Sequence, residues 1–356
     1  MIRRTVLHGM LAALALGLGM AAACAQTRQP PALQDAQQQS LQRPFYDVYW
    51  CVTGALANQA PPTGMNVRQD IVIFYDHRFG LYPRFAGSEV RNGGIPQATD
   101  MGKHLAQVRK DLDRDMPDRN FAGIAVIDYE GWWPDWETQN VEIKRASQQY
   151  ARQRNPGKTA AQIDQIAKAE FEVAAKSVML ETLLLCKQAR PKAKWGYYAY
   201  PDLWRPERFA TATYAWLWEA SDVIMPSIYA LKKSVPDAGS PKPTEIKLSD
   251  YKKEITDVIA LSRRYAGPNK PVLPFVWFRY HDVNKDYANQ LVNDMDLDAM
   301  MNVPKAAGAD GVIIWNHIVE QRWVTDFRNF TQSKAKPLVN AAVKPSASAA
   351  AGKSGK

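Results

Sequence analysis

Seven short apolar or β-branched runs, separated by longer stretches of helical pattern, limit what this chain can fold into. They are Tyr46–Cys51, Ile71–Tyr75, Gly123–Glu130, Trp195–Tyr200, Asp222–Tyr229, Pro271–Phe278 and Gly311–Trp315, each with the length and residue types of a strand. Leu105, Val108 and Leu112 recur at helical spacing before the third run, and a longer helical stretch from about Thr159 to Ala189 precedes the fourth. Crossovers of that length join parallel strands. The expectation is an α/β fold, a TIM-like (β/α) barrel that is irregular and has seven or eight strands. A doubly wound sheet would bring a glycine-rich phosphate loop after an early strand. The nearest match, Gly17-Leu18-Gly19, falls before the first run, and Gly157-Lys158-Thr159 follows Arg152 where a P-loop needs its first glycine, so it reads as a helix start.

The ends read differently from the middle. Arg3 and Arg4 precede an apolar stretch from Met10 to Ala23, the pattern of an export signal that is too short to favour a membrane span. Ala23-Cys24-Ala25 predicts cleavage before Gln26, which makes residues 1–25 a signal peptide. Ala22-Ala23-Cys24 keeps a lipid anchor at Cys24 open, with Ala21 where Leu is usual. Residues 26–43 form a Gln- and Pro-rich linker, 44–333 the barrel, and 334–356 an Ala-, Ser- and Lys-rich disordered tail. The expected product is exported, periplasmic or secreted, with no further apolar run to span a bilayer. Of the cysteines left, Cys51 and Cys186 permit one disulfide, but Cys186 ends the apolar Leu183-Leu184-Leu185 run and is expected to be a buried free thiol.

The formal net charge is +9, with Arg3 and Arg4 supplying two of those charges. An anionic partner would suit it, or the charge only keeps the chain soluble. Lys and Arg are scattered and no nucleic-acid module is present, so nucleic acid is not expected as a partner. Beyond His8, the histidines His77, His104, His281 and His317 lack metal-ligand spacing, and neither a metal nor a cofactor is expected.

The densest chemistry is Val126-Ile127-Asp128-Tyr129-Glu130-Gly131-Trp132-Trp133-Pro134-Asp135-Trp136. Alternation along a strand puts Asp128 and Glu130 on one face, roughly 6–7 Å apart by strand rise, at the carboxyl end where barrels keep their active sites. Crowding two carboxyls beside aromatic walls raises one pKa and keeps a proton near neutral pH, as glycoside cleavage needs. A helix cap or a rim ion pair would also account for Asp-x-Glu, and packing would account for the tryptophans. Tyr75, Tyr198, Tyr229 and Trp315 fall at or near the ends of other strands, which gathers them around the same mouth.

These segments resemble the animal hyaluronidases, glycoside hydrolase family 56, whose corresponding strand ends Asp-Trp-Glu where this one has Asp128-Tyr129-Glu130. The resemblance runs over about residues 44–330. It includes Ile73-Phe74-Tyr75, Gly93-Gly94-Ile95-Pro96-Gln97, Trp195-Gly196-Tyr197-Tyr198 with Pro201-Asp202, Pro226-Ser227-Ile228-Tyr229, Pro271-Val272-Leu273-Pro274-Phe275 and Gly311-Val312-Ile313-Ile314-Trp315. It implies the catalytic barrel alone, in an exported, bacterial-type relative. It further implies a retaining endo-β-N-acetylhexosaminidase that cuts β-1,4 links of a hyaluronan- or chondroitin-like polysaccharide through the substrate's own acetamido group. Glu130 would be the acid/base, Asp128 would steady the acetamido group, and Tyr198 and Tyr229 would bond to it. Tyr75, Trp133, Ser227, His281, Asp282 and Trp315 would line the sugar subsites.

Trp133 departs from the family, which often has an arginine there that can pair with a uronate. A hydrolase of neutral N-acetylglucosamine polymers is the alternative this favours, unless Lys and Arg elsewhere in the cleft hold the carboxylates. Replacing Trp133 with Arg is expected to favour acidic polymers if the indole substitutes stacking for charge pairing. A catalytically silent carbohydrate-binding barrel is a third reading, which the presence of both acids opposes.

Overall fold

In a computed structural model the described residues are 46–54, 60–86, 89–318 and 321–343. All seven runs are strands: β1 Asp47–Thr53, β2 Ile71–Tyr75, β3 Ile124–Asp128, β4 Lys194–Asp202, β5 Met225–Ser227, β6 Phe275–Trp277 and β7 Gly311–His317. They form one parallel sheet in the order β1-β7-β6-β5-β4-β3-β2. Closure between β1 and β2 runs through Arg68, just ahead of β2. Its backbone N–H donates to Val48 O and its carbonyl accepts from Trp50 N, both at 2.8 Å. At the other end of this seam, the hydroxyls of Thr53 and Tyr75 lie 2.8 Å apart. The result is a seven-stranded irregular barrel.

Alternation sorts the strand side chains into two cores. Tyr49, Cys51, Ile124, Val126, Met225, Phe275 and Ile313 fill the barrel, whereas Val48, Trp50, Ala125, Ile127, Val276 and Ile314 pack outward. Gly196 in β4 is required because a Cβ there would lie 2.4 Å from Val223 O. The outer layer comprises α1 Met101–Asp115, α2 Val141–Arg154, α3 Ala160–Ala189, α4 Ala215–Ala220, α5 Leu248–Ala266, α6 Asp294–Ala306, α7 Gln321–Phe330 and α8 Lys336–Val343. As the sequence indicates, α3 starts at Thr159, whose hydroxyl and the Gln162 side chain cap each other's backbone. Its apolar stripe from Ile163 through Phe171 to Cys186 is buried.

The disordered tail expected from Lys334 is corrected for its first ten residues, because Thr331–Ala335 forms a π-helical turn and α8 continues to Val343. Val339 is fully buried, Asn340 bonds to both Asn66 N and Gly64 O, and Lys336 bonds to Thr63 O. Apolar spacing at Leu338, Val339 and Ala342 gave this helix a face to bury, which the Ala-, Ser- and Lys-rich composition masked. The tail beyond Val343, the signal segment, the linker and Cys24 lie outside the described residues. Cys51 and Cys186 are separate buried thiols, one inside the barrel and one in α3.

Candidate active site

Parity along each strand decides which side chains reach the mouth. Tyr75 continues the inward series Ile71–Ile73, Asp128 the series Ile124–Val126, Trp315 follows Ile313, and Ser227 and Tyr229 follow Val223 and Met225. Beyond the end of β3, Glu130 opens to solvent at the mouth while its carboxyl is largely enclosed by protein. It lines two cavities. One, of about 370 Å³, is bounded by Trp133, Tyr198, Ser227, Tyr229, His281, residues 202–205 and Arg208; the other, of about 650 Å³, by Tyr75, Asp76, Asp128, Trp315 and His317.

Strand rise overstates the separation of the two acids. Asp128 and Glu130 lean together and their carboxyls are within hydrogen-bonding reach. Burial raises both pKa values above the ordinary carboxylate range. The negative charge of Glu130 lifts Asp128 further, whereas the hydrogen bond from Asp128 pulls Glu130 down. A hydrogen bond between two carboxyls requires one proton, which the pair shares. Asp128 Oδ1 is buried without a hydrogen-bond partner among the described residues, which leaves an unsatisfied acceptor on a residue that lines the second cavity.

Aromatic residues hold this pair. The Tyr198 hydroxyl donates to Ser227 Oγ at 3.2 Å, and its ring lies 5.9 Å from that of Tyr229. Burial raises the pKa of both phenols, which keeps them protonated donors. Trp315 Nε1 donates to Tyr75 OH at 2.9 Å, and Tyr229 stacks against Trp315 at 5.8 Å. His281 lines the first cavity, and burial lowers its pKa. Asp282, expected to bind sugar, lies at the rim, where its charge adds to the rise of the Glu130 pKa. Its side chain is 70% exposed, bounds neither of these cavities and pairs with His281 Nδ1 at 2.8 Å, because the chain turns outward immediately after His281.

Three charged residues escaped the sequence reading. Asp76 follows Tyr75 directly, its charge raises the pKa of both Asp128 and Glu130, and Arg84 lies 3.6 Å from it. Its place at the end of β2 was the available signal. Asp202 and Arg208 form an ion pair at 2.8 Å in the first cavity. The Arg208 guanidinium lies over the Trp133 indole, 3.7 Å from its centroid. The indole thus carries a cation on its face, so charge stands beside it at this wall. No His/Cys/Asp/Glu group suited to a metal occurs among the described residues.

A family model described as "Hyaluronidase" matches residues 54–344. The chain is 30% identical over 294 residues to a hyaluronidase of Apis mellifera, covering 76% of this chain and 73% of that one. It is 32% identical over 270 residues to a chondroitin hydrolase of Caenorhabditis elegans, covering 70% of this chain and 56% of that one. Among solved structures, bee venom hyaluronidase in complex with a hyaluronic acid tetramer superposes with a TM-score of 0.70 at 26% identity, over 83% of this chain and 98% of that one.

Proposed function

Because the chain belongs to the hyaluronidase family, glycoside hydrolase family 56, we propose that it hydrolyses a hyaluronan- or chondroitin-like polysaccharide as a retaining endo-β-N-acetylhexosaminidase. The observation that carries the mechanism is the closeness of Asp128 and Glu130. Carboxyls in hydrogen-bonding reach cannot flank a sugar from opposite faces, since an enzyme nucleophile needs about 5–5.5 Å and a water-activating base about 6.5–9.5 Å from the acid. The nucleophile is then the substrate's own acetamido oxygen. Its N–H donates to Asp128, which is the stronger acceptor and the counter-charge to the forming cation once ionised, so the shared proton moves to Glu130. Glu130 gives it to the departing glycosidic oxygen as the acetamido oxygen closes on the anomeric carbon. Asp128 stabilises the resulting cationic ring, Tyr198 and Tyr229 orient the acetamido group, and Glu130 then takes a proton from the water that opens it. Tyr75, Trp133, Ser227, His281 and Trp315 hold the flanking sugars.

Proton NMR of the first product tests this reading. The β-anomer is expected at the new reducing end of hyaluronan or chondroitin fragments, and initial release of the α-anomer would exclude the assisted route. A panel that includes neutral N-acetylglucosamine oligomers separates the neutral-polymer reading. Export also belongs to the proposal, supported by the leader-like residues 1–25; amino-terminal analysis of exported protein is expected to begin at Gln26, or at a lipid-modified Cys24 if the anchor is used.

A further inference from the structure

We propose that Arg208 selects for acidic sugar by binding the carboxylate of a uronic acid unit adjacent to the N-acetylhexosamine whose bond is cut. This rests on the glycosidase reading above and adds a specificity-determining residue to it. Arg208 lies in a short 3-10 turn, Pro206–Ala210, that follows β4. Its guanidinium carbon is 3.7 Å from the Trp133 ring centroid and 4.4 Å from that of Phe209. Nη2 donates to Asp202 Oδ2 at 2.8 Å, and Nε is buried without a partner among the described residues. The side chain is 14% exposed, so its position is fixed by packing rather than chosen from solvent.

A guanidinium held in this way has little rotamer freedom left to lose when a ligand arrives. It lines a cavity together with Glu130, Tyr198 and Tyr229, and its Nη1 has no hydrogen-bond partner among the described residues. Arg205, the other arginine on that wall, is exposed to solvent. Asp202 balances the charge through Nη2 alone, and its Oδ1 accepts from the Trp204 and Arg205 backbone N–H groups, so the rest of the guanidinium is left without a carboxylate among the described residues. An acidic chain approaching the Asp128–Glu130 pair meets like charge, and the enclosed guanidinium beside it offers a carboxylate-bearing polymer a charge-assisted bond that a neutral one cannot make.

The test compares wild type, Arg208→Gln and Arg208→Lys on hyaluronan and on carboxyl-reduced hyaluronan, which keeps the linkages and loses the charge. The ratio of kcat/KM for the acidic over the reduced polymer is expected to fall roughly tenfold to a hundredfold in R208Q, mainly through KM, and less in R208K. An equal loss on both polymers would make Arg208 a structural residue and overturn the inference, as would an unchanged ratio. Should R208Q fail to fold, R208K decides, with a severalfold lower ratio in support and an unchanged ratio against. Failure of the parent reading has another signature, a wild type that leaves both polymers intact, and that result overturns the inference with it.

Discussion

Asp128 and Glu130 are two residues apart yet carry different duties, because their surroundings differ: Asp128 sits at the bottom of the mouth with one oxygen unpartnered, whereas Glu130 opens to the cavities. Glu130→Gln keeps the shape and removes the transferable proton, so kcat on hyaluronan is expected to drop by on the order of a hundredfold or more, with folding unchanged by circular dichroism. The pH profile of kcat/KM is expected to be a bell whose two limbs belong to the pair. On the alkaline side the shared proton is lost, at a pH above the ordinary carboxylate range because burial raises both groups. On the acid side Asp128 also stays protonated and lacks the negative charge that stabilises the cationic ring. Asp128→Asn should therefore be less active and lack the acid limb; an acid limb unchanged in that variant would remove Asp128 from its role. The positions of both acids were legible because strand parity needs only sequence. Their contact was not, since side-chain lean depends on neighbours such as Asp76.

β4 shows where an element stops being readable. Its register slips against β5, with Tyr198 opposite Met225 but Asp202 opposite Ser227, and Ala199 between them adopts a left-handed φ of 61°. A bulge of this kind re-aims the residues beyond it, so Asp202 and the turn carrying Arg208 reach a wall that simple alternation does not predict. Tyr198, before the slip, was predictable; Arg208, after it, was not, and no periodicity marks its 3-10 turn. Helix packing carries a separate consequence. His104 of α1 is buried, its Nε2 lies 2.7 Å from the Thr182 hydroxyl of α3, and its Nδ1 accepts from Leu81 N at 3.0 Å. Burial pushes its pKa from 6.5 down to about 4. The unfolded chain binds this proton more readily, so stability is full above pH about 6.5 and is lost as pH falls toward 4, by up to about 3 kcal/mol. Thermal unfolding of His104→Gln across that window should depend less on pH than wild type; parallel curves would show that His104 is not the sensor.

At the scale of the whole molecule, the barrel depends on cover supplied from far along the chain. Residues 54–70 contribute no helix among those described, so the outward face of β1 meets α7 and α8 instead, with Trp50 5.7 Å from Phe327 and α8 clipped to the loop around Gly64. A chain ending at Ser333 is expected to melt several degrees below one ending at Val343, because it exposes the surface that Val339 and Ala342 bury. Equal melting temperatures would make α8 an appendage. The strand order was readable as far as seven parallel strands; the cover of β1 was not, because sequence order says nothing of which distant helix fills a gap. The pairing of β1 with β7 sets Thr53 beside His317, 264 residues later. A ribosome delivers β1 long before β7, so until that partner emerges the first strand keeps one apolar edge with nothing to pair with. The ring closes only once the chain has emerged past His317, which leaves the barrel open over the whole span between Thr53 and that partner.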